Sequence, residues 1–205
     1  SNANANVSAN ALKNVELLIV QDLFLNETAR EFANVFFPAC SSYEKDGTFM
    51  NSERRVQRIR QAIPVVGNSK PDWQIIDELA ARMGKGEFFA FADPEAIWDE
   101  VRKVWKAGSG ISYARIEHAG LQWPCKSEDD PGTTILHQKS FPIGDRAAFS
   151  LMEYRPTIER VSDEFPMLLT TGRALEHFNA GTMSRRTGNT MLMPTDYLAI
   201  SHEDA

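Results

Sequence analysis

Residues 15–38 read VELLIVQDLFLNETAREFANVFFP, and this stretch decides the fold class. Val15 to Gln21 is a run of mainly apolar residues ending in Gln21-Asp22, the pattern of a strand buried on both faces of a parallel sheet. Asn26 is placed to cap a helix over Glu27 to Ala33, and Glu27 in its first turn suits the helix dipole. Val35-Phe36-Phe37 then reads as a second short strand that Pro38 stops. Strand, helix, strand is half of a parallel α/β layer, and a parallel layer needs more partners than two strands supply. No Gly-x-Gly-x-x-Gly accompanies it, so a dinucleotide-binding turn of the usual kind is not expected.

Outward from that stretch, Tyr43 to Arg60 (YEKDGTFMNSERRVQRIR) carries a turn signal at Asp46-Gly47 and only loose alternation, which predicts an irregular hairpin or extended arm. Arg54, Arg55, Arg58 and Arg60 form its basic cluster. Such a cluster serves either as a solvated arm or interdomain salt-bridge hub, or as an electropositive wall for a phosphate-bearing ligand. A helix follows from Asp72, with Trp73, Ile75, Ile76, Leu79, Ala80 and Met83 at roughly helical spacing and Gly84 at its end. Pro94 to Lys106 (PEAIWDEVRKVWK) is a second amphipathic helix with Pro94 at its first position and Ile97, Trp98, Val101, Val104 and Trp105 facing inward. A third, shorter helix is expected over Tyr113 to Leu121.

Gln122 to Pro142 is a polar connector rich in Pro, Gly and acidic residues, where a boundary is expected. Beyond it, Ala147 to Glu153, Met167 to Thr170 and Tyr197 to Ile200 read as strands. The string Pro166 to Arg186 (PMLLTTGRALEHFNAGTMSRR) joins one of these to a dense polar turn. A strand ending at Gly172 and followed by Arg173, Glu176, His177, Asn179 and Thr182 delivers donors and acceptors at a carboxyl edge, where open α/β sheets hold ligands. The Arg173 fork can grip a phosphate bidentately. Ser201-His202-Glu203-Asp204 reads as the start of a helix that is then cut off, so the chain is expected to be an internal fragment. Ser1-Asn2-Ala3 reads as a remnant of expression.

Composition narrows the classes. The 205 residues are 42% hydrophobic and 24% charged, ordinary for a globular protein. A net charge of −6 and a pI near 5.3 give no general attraction to nucleic acid or an anionic membrane surface. No apolar run is long enough to span a bilayer. Cys40 and Cys125 are far apart, without metal-ligand spacing, so no zinc or iron–sulfur site is expected within these residues. Both read as buried small hydrophobes, and two unpaired thiols favour a reducing cytoplasm.

Several strings together resemble the molybdopterin-dependent oxidoreductases. Thr171-Gly172-Arg173 and His177-Phe178-Asn179-Ala180-Gly181-Thr182-Met183-Ser184-Arg185-Arg186 are similar to the start of that family's C-terminal cap domain. Asn179 and Ala180 stand where the family's pattern has His and Thr. Glu44-Lys45-x-Gly47-Thr48-Phe49-x-Asn51-x-Glu53-Arg54-Arg55-Val56-Gln57 is similar to a second element, and Lys70-Pro71-Asp72-Trp73 to a third. Leu18 to Ala29 also matches. Gly120 to Cys125 (GLQWPC) and Gly132 to Phe141 resemble formate dehydrogenases more than periplasmic nitrate reductases, and nitrate reductase is kept as the alternative within the family.

The resemblance implies an α/β fold with an incomplete parallel, Rossmann-like layer, an extended arm and helices, followed by the start of a β-barrel-like cap domain. Boundaries are expected at 1–3 for the remnant, 4–145 for the α/β region and 146–205 for the truncated cap. It implies a parent enzyme, the catalytic α subunit of a formate dehydrogenase. That enzyme oxidises formate to CO2 at molybdenum or tungsten held by molybdopterin guanine dinucleotide, and passes electrons through 4Fe-4S clusters to other subunits or domains. It implies that Gln21, Asp22, Lys45 and Asp72 contact one dinucleotide, Asp72 through the guanine, and that Thr171, Gly172, Arg173, Glu176, His177 and Asn179 contact the cofactor from the cap. The metal-ligating residue and the cluster cysteines are expected outside this chain, so that no catalytic residue or metal ligand is assigned here and no cofactor is expected to stay on the isolated chain. A dimer through exposed edges is a further expectation. The rival from another class is a non-catalytic nucleotide-binding or adaptor protein.

Overall fold

The computed structural model describes residues 4–205, so the Ser1-Asn2-Ala3 remnant lies outside the described residues. The chain divides into two compact units, Ala9–Ala147 and a second made of Ala148–Ala205 with the leading residues. An N-terminal helix, α1 (Ala5–Lys13), buries none of its residues.

The parallel half-layer forms as the sequence predicts, in shortened form. Strand β1 (Ile19–Asp22) pairs in parallel with β2 (Val35–Pro38), Ile19 opposite Val35 and Asp22 opposite Pro38. Helix α2 (Glu27–Phe32) connects them, and the Asn26 side chain accepts a hydrogen bond from the Ala29 amide at 2.9 Å, relieving one of the helix's orphan donors. A parallel bridge between Ala39 and Lys70 extends the layer by one rung. The expectation of a strand buried on both faces is corrected: Val15, Leu17 and Ile19 are each more than 40% exposed. Hydrophobic sequence sets which faces can be buried, but burial also needs a neighbouring layer, and the parallel sheet has two strands, β1 and β2, among the described residues.

The arm is a regular antiparallel hairpin, β3 (Gly47–Met50) against β4 (Arg55–Ile59), with β5 (Leu121–Gln122) added on the far side of β4. Its turn lies at Asn51 to Arg54, not at Asp46-Gly47. The Asn51 side chain accepts from the amides of Glu53 and Arg55 at 3.0 and 3.1 Å, a local asparagine turn that outcompetes the Asp-Gly signal. Helix α3 (Asp72–Arg82) ends where Gly84 takes φ +71°: the Lys85 amide bonds Ala80 O and the Gly84 amide bonds Ala81 O, so a left-handed residue closes the helix. Helix α4 (Pro94–Val104) is capped by Asp93.

Under the hairpin lies the core of this unit: Val56, Ile111, Tyr113, Ile116 and Cys125, with Trp98, Trp105, Leu121 and Trp123 packed against it. Trp105 meets both Trp98 and Trp123 edge-on at 6.0 Å between ring centroids, the offset that ring quadrupoles prefer. Trp98 of α4 and Trp105 at its end are therefore core, as their spacing predicts; Val101 and Val104 are not, and stand 37% and 80% exposed.

Two expectations fail here. Tyr113 to Ala119 is a series of turns and bends, with Leu121 already in β5, because the Arg115 guanidinium bonds the carbonyls of Gly110, Ser127 and Asp130 and holds the chain in a compact loop. Nor is Gln122 to Pro142 a polar connector throughout. Cys125 is fully buried, its amide bonded to Ala107 O at 2.7 Å, so the start of that segment, Gln122 to Cys125, belongs with the core.

In the second unit the three expected strands, Ala147 to Glu153, Met167 to Thr170 and Tyr197 to Ile200, form no ladder, and no closed barrel is present among the described residues. A strand is stable only when its backbone groups are paired, and apolar runs alone do not provide the pairing. The ordered part is the loop from Arg173 to a short helix, α5 (Asn189–Leu192).

Candidate functional site

Three of the predicted binding residues meet at the carboxyl end of the parallel pair. Asp72 opens α3, two residues after the Ala39–Lys70 bridge, so its carboxylate faces the end of the layer while the helix dipole favours its charge. Gln21, on β1, donates Nε2–H to Asp72 Oδ1 at 2.6 Å. Lys45, in the segment leading into β3, donates its ammonium to Asp72 Oδ2 in an ion pair. The residues are 51 and 27 positions apart in sequence.

Partial burial pushes the Asp72 carboxyl upward, but the hydrogen bonds from Lys45 and Gln21 and the Lys45 charge outweigh it, and the net pKa lies below the ordinary aspartate value. Asp72 is therefore a carboxylate at neutral pH, an acceptor only. Its side chain remains 46% exposed. Each oxygen spends one lone pair on Gln21 or Lys45 and keeps another.

Asp22 stands beside Gln21 with a different partner. Its Oδ2 accepts from the Asn26 amide group at 2.8 Å, and Asn26 in turn caps α2. Asp22 thus ties the end of β1 to the start of α2.

The basic cluster of the arm does not form a free wall. Arg54 bonds the carbonyls of Trp123, Thr133 and Thr134; Arg55 bonds Gly120 O; Arg58 and Arg60 pair with Glu117. Arg58 also lies over the Tyr113 ring, 3.9 Å from its centroid. The cluster is a bonded hub within this unit, not the solvated arm or free electropositive wall that the sequence leaves open.

The remaining predicted residues lie in the second unit. Thr171, Gly172 and Arg173 line an open cleft of about 740 Å³ together with Met167 to Thr170, Met193 and Asp196 to Ile200. Arg173 is exposed. His177 is 5% exposed and spent on its own loop: Nε2 lies 2.8 Å from Met193 O and Nδ1 3.1 Å from Ser184 Oγ. A carbonyl can only accept, so in the neutral ring the proton sits on Nε2 and Nδ1 accepts from the Ser184 hydroxyl. Glu176 contributes its backbone carbonyl to Asn189 at 2.6 Å. Asn179 has φ +50°, a left-handed conformation that asparagine tolerates better than most residues.

The neighbourhood of Asp72 in the first unit holds a further buried carboxylate. Glu44, beside Lys45, is 7% exposed and bonded through both carboxylate oxygens to backbone amides. Nothing local marks a glutamate for burial, and its partner Val66 lies 22 residues away.

Residues 1–82 match the molybdopterin oxidoreductase family. Over its whole length the chain is 45% identical to the F420-dependent formate dehydrogenase 2 subunit alpha of Methanococcus maripaludis, of which it covers 30%. It is 44% identical over 87% of its length to the F420-dependent formate dehydrogenase subunit alpha of Methanocaldococcus jannaschii, covering 27% of that protein. Against the assimilatory nitrate reductase catalytic subunit of Bacillus subtilis it is 38% identical over 91% of its length, again covering 27%. The chain thus spans less than a third of the curated relatives it matches.

Proposed function

Because the chain belongs to the molybdopterin oxidoreductase family, we propose that it supplies part of the cofactor grip in the catalytic α subunit of a formate dehydrogenase. The higher identity to the two F420-dependent formate dehydrogenase subunits than to the nitrate reductase supports formate as the substrate. The observation that carries the reading is the Gln21–Asp72–Lys45 constellation at the carboxyl end of the parallel strands.

The donor set fits the guanine dinucleotide form of molybdopterin. A guanine edge presents two adjacent N–H donors, and a carboxylate held ionised, half open and with lone pairs to spare accepts such a pair. Gln21 orients the carboxylate and Lys45 balances its charge. Asp22 fixes the end of β1 that carries Gln21. In the second unit, Arg173 would hold a phosphate by its fork, with the Thr171 hydroxyl and the side-chain-free Gly172 backbone beside it. Glu176, His177 and Asn179 shape that loop. The chemistry supplied by the bound group, with molybdenum or tungsten, is the two-electron oxidation of formate to CO2, the electrons leaving through 4Fe-4S clusters to electron-transfer subunits. Positioning and charge are what this chain's residues add. We place the enzyme in the cytoplasm, in keeping with two free, buried thiols.

The test uses the full-length enzyme. It is expected to reduce a dye with formate and not to turn over nitrate, and to release a guanine nucleotide on acid denaturation. Asp72→Ala is expected to lower bound nucleotide and formate turnover together, by roughly tenfold, the scale of losing a charge-assisted hydrogen bond. Nitrate turnover without formate turnover, or full nucleotide content in Asp72→Ala, would overturn the reading.

A further inference from the structure

We propose that Glu44 is a positioning residue for the Lys45–Asp72 pair, acting as a buried two-ended staple between the segments that carry those residues. The proposal rests on the cofactor-binding reading of Asp72 given above. Glu44 Oε2 accepts from the Ser41 amide at 2.8 Å and Oε1 from the Val66 amide at 2.6 Å. Ser41 belongs to the turn that leads into Lys45. Val66 begins the run that crosses Lys70 and enters α3 at Asp72.

Neighbouring bonds stitch the same two segments: Lys70 N to Pro38 O at 3.1 Å, Cys40 N to Lys70 O at 3.0 Å, and the amides of Ala62 and Ile63 to Tyr43 O. All of these are backbone bonds. Side chains add to the set through the Cys40 thiol on Ser69 Oγ and the Gln61 amide on Asp46 Oδ1, but Glu44 is the buried carboxylate that bonds both segments at once, and its neighbour in sequence is the lysine whose ammonium must reach Asp72 Oδ2.

A carboxylate is the one side chain suited to this task. Two inward-pointing N–H donors need two acceptors on one rigid group, and at 7% exposure water is poorly placed to substitute. A glutamine keeps one oxygen and turns an NH2 donor toward the second amide, leaving it unpaired. An aspartate is one methylene too short to span both. The two conservative replacements therefore fail for different reasons, and neither removes the Lys45 charge.

The experiment is a double-mutant cycle in the full-length enzyme, read as guanine nucleotide retained per folded molecule after gel filtration. Glu44→Gln and Lys45→Met singly are each expected to lose nucleotide about tenfold faster than the wild type, and the double variant no faster than Lys45→Met alone, because the staple acts through the lysine. Glu44→Asp is expected to give no rescue. Glu78→Gln, which removes an exposed ion-pair partner on α3, is expected to retain nucleotide as the wild type does. Additive losses in the double variant would mean that Glu44 merely stabilises the loop, and would overturn the proposal, as would Glu44→Gln with wild-type retention. Should Glu44→Gln not fold, Glu44→Asp takes its place in the cycle under the same criteria. A wild-type enzyme that releases no guanine nucleotide would overturn the cofactor reading itself, and this proposal with it; nucleotide present and lost in Asp72→Ala, with additivity in the cycle, overturns this proposal alone.

Discussion

Asp72 shows how a single side chain's environment becomes a measurable dependence on pH. Its folded pKa lies below the ordinary value of 3.8, so its contribution is present above that value and is lost as pH falls through the folded pKa. Being nearly half exposed, the pair with Lys45 contributes at most about 1 kcal/mol. Urea denaturation of the wild type and Asp72→Asn is therefore expected to show a small, constant gap between pH 5 and 7 that narrows once the pH falls below 3.8 and is lost through the folded pKa. Arg54 makes the opposite case, since its fork serves backbone carbonyls at three positions and its backbone has φ +66°. Arg54→Lys keeps the charge but not the geometry, and is expected to cost about 1–2 kcal/mol in the same measurement. Of these two environments, only Asp72's place at a helix start was legible in the sequence, because that is a local signal, whereas its partner Lys45 lies 27 residues away. Arg54's partners lie 69 to 80 residues away, so its sequence neighbourhood of arginines gave two readings and could not choose.

At the scale of elements, the periodicities that need only their own chain were read correctly: α2 with its asparagine cap, α3 with Gly84 beyond its end, and the core tryptophans, Trp98 of α4 and Trp105 at its end. What failed were segments decided by a distant partner. Tyr113 to Leu121 has helical spacing, yet the Arg115 guanidinium spends itself on three carbonyls and holds Tyr113 to Ala119 as turns and bends. The closeness of those turns to the 125–130 loop gives a test. A Cβ at Gly110 would come within 2.0 Å of the Ser127 carbonyl oxygen, a backbone atom that cannot rotate aside. Gly110→Ala is accordingly expected to destabilise this unit by about 2–3 kcal/mol, visible as a lower denaturation midpoint with unchanged slope. Gly67→Ala is a useful comparison, since nothing lies within 4 Å of its Cβ position and only its φ of +59° opposes the change; a loss of about 1 kcal/mol is expected there.

For the whole molecule, the strongest expectation concerns surface that the sequence marks as interior and the fold leaves open. Val15, Leu17 and Ile19 follow the pattern of a strand covered on both faces, yet each is over 40% exposed, and β1 and β2 pair only with each other. Unpaired strand edges with apolar flanks template further pairing. The purified 205-residue chain is therefore expected to self-associate, its weight-average mass in sedimentation equilibrium rising with concentration. Ile19→Lys is expected to reduce that rise, because a charge on a strand edge opposes edge-to-edge pairing without removing any core residue. The same chain is expected to show no formate-dependent dye reduction, since the resemblance places the metal-ligating residue outside it. The two measurements are independent. Turnover with formate would contradict the assignment of chemistry to residues elsewhere, whereas a monomer at all concentrations, unchanged by Ile19→Lys, would show that the open faces of the parallel pair do not drive association, whatever the chain's activity.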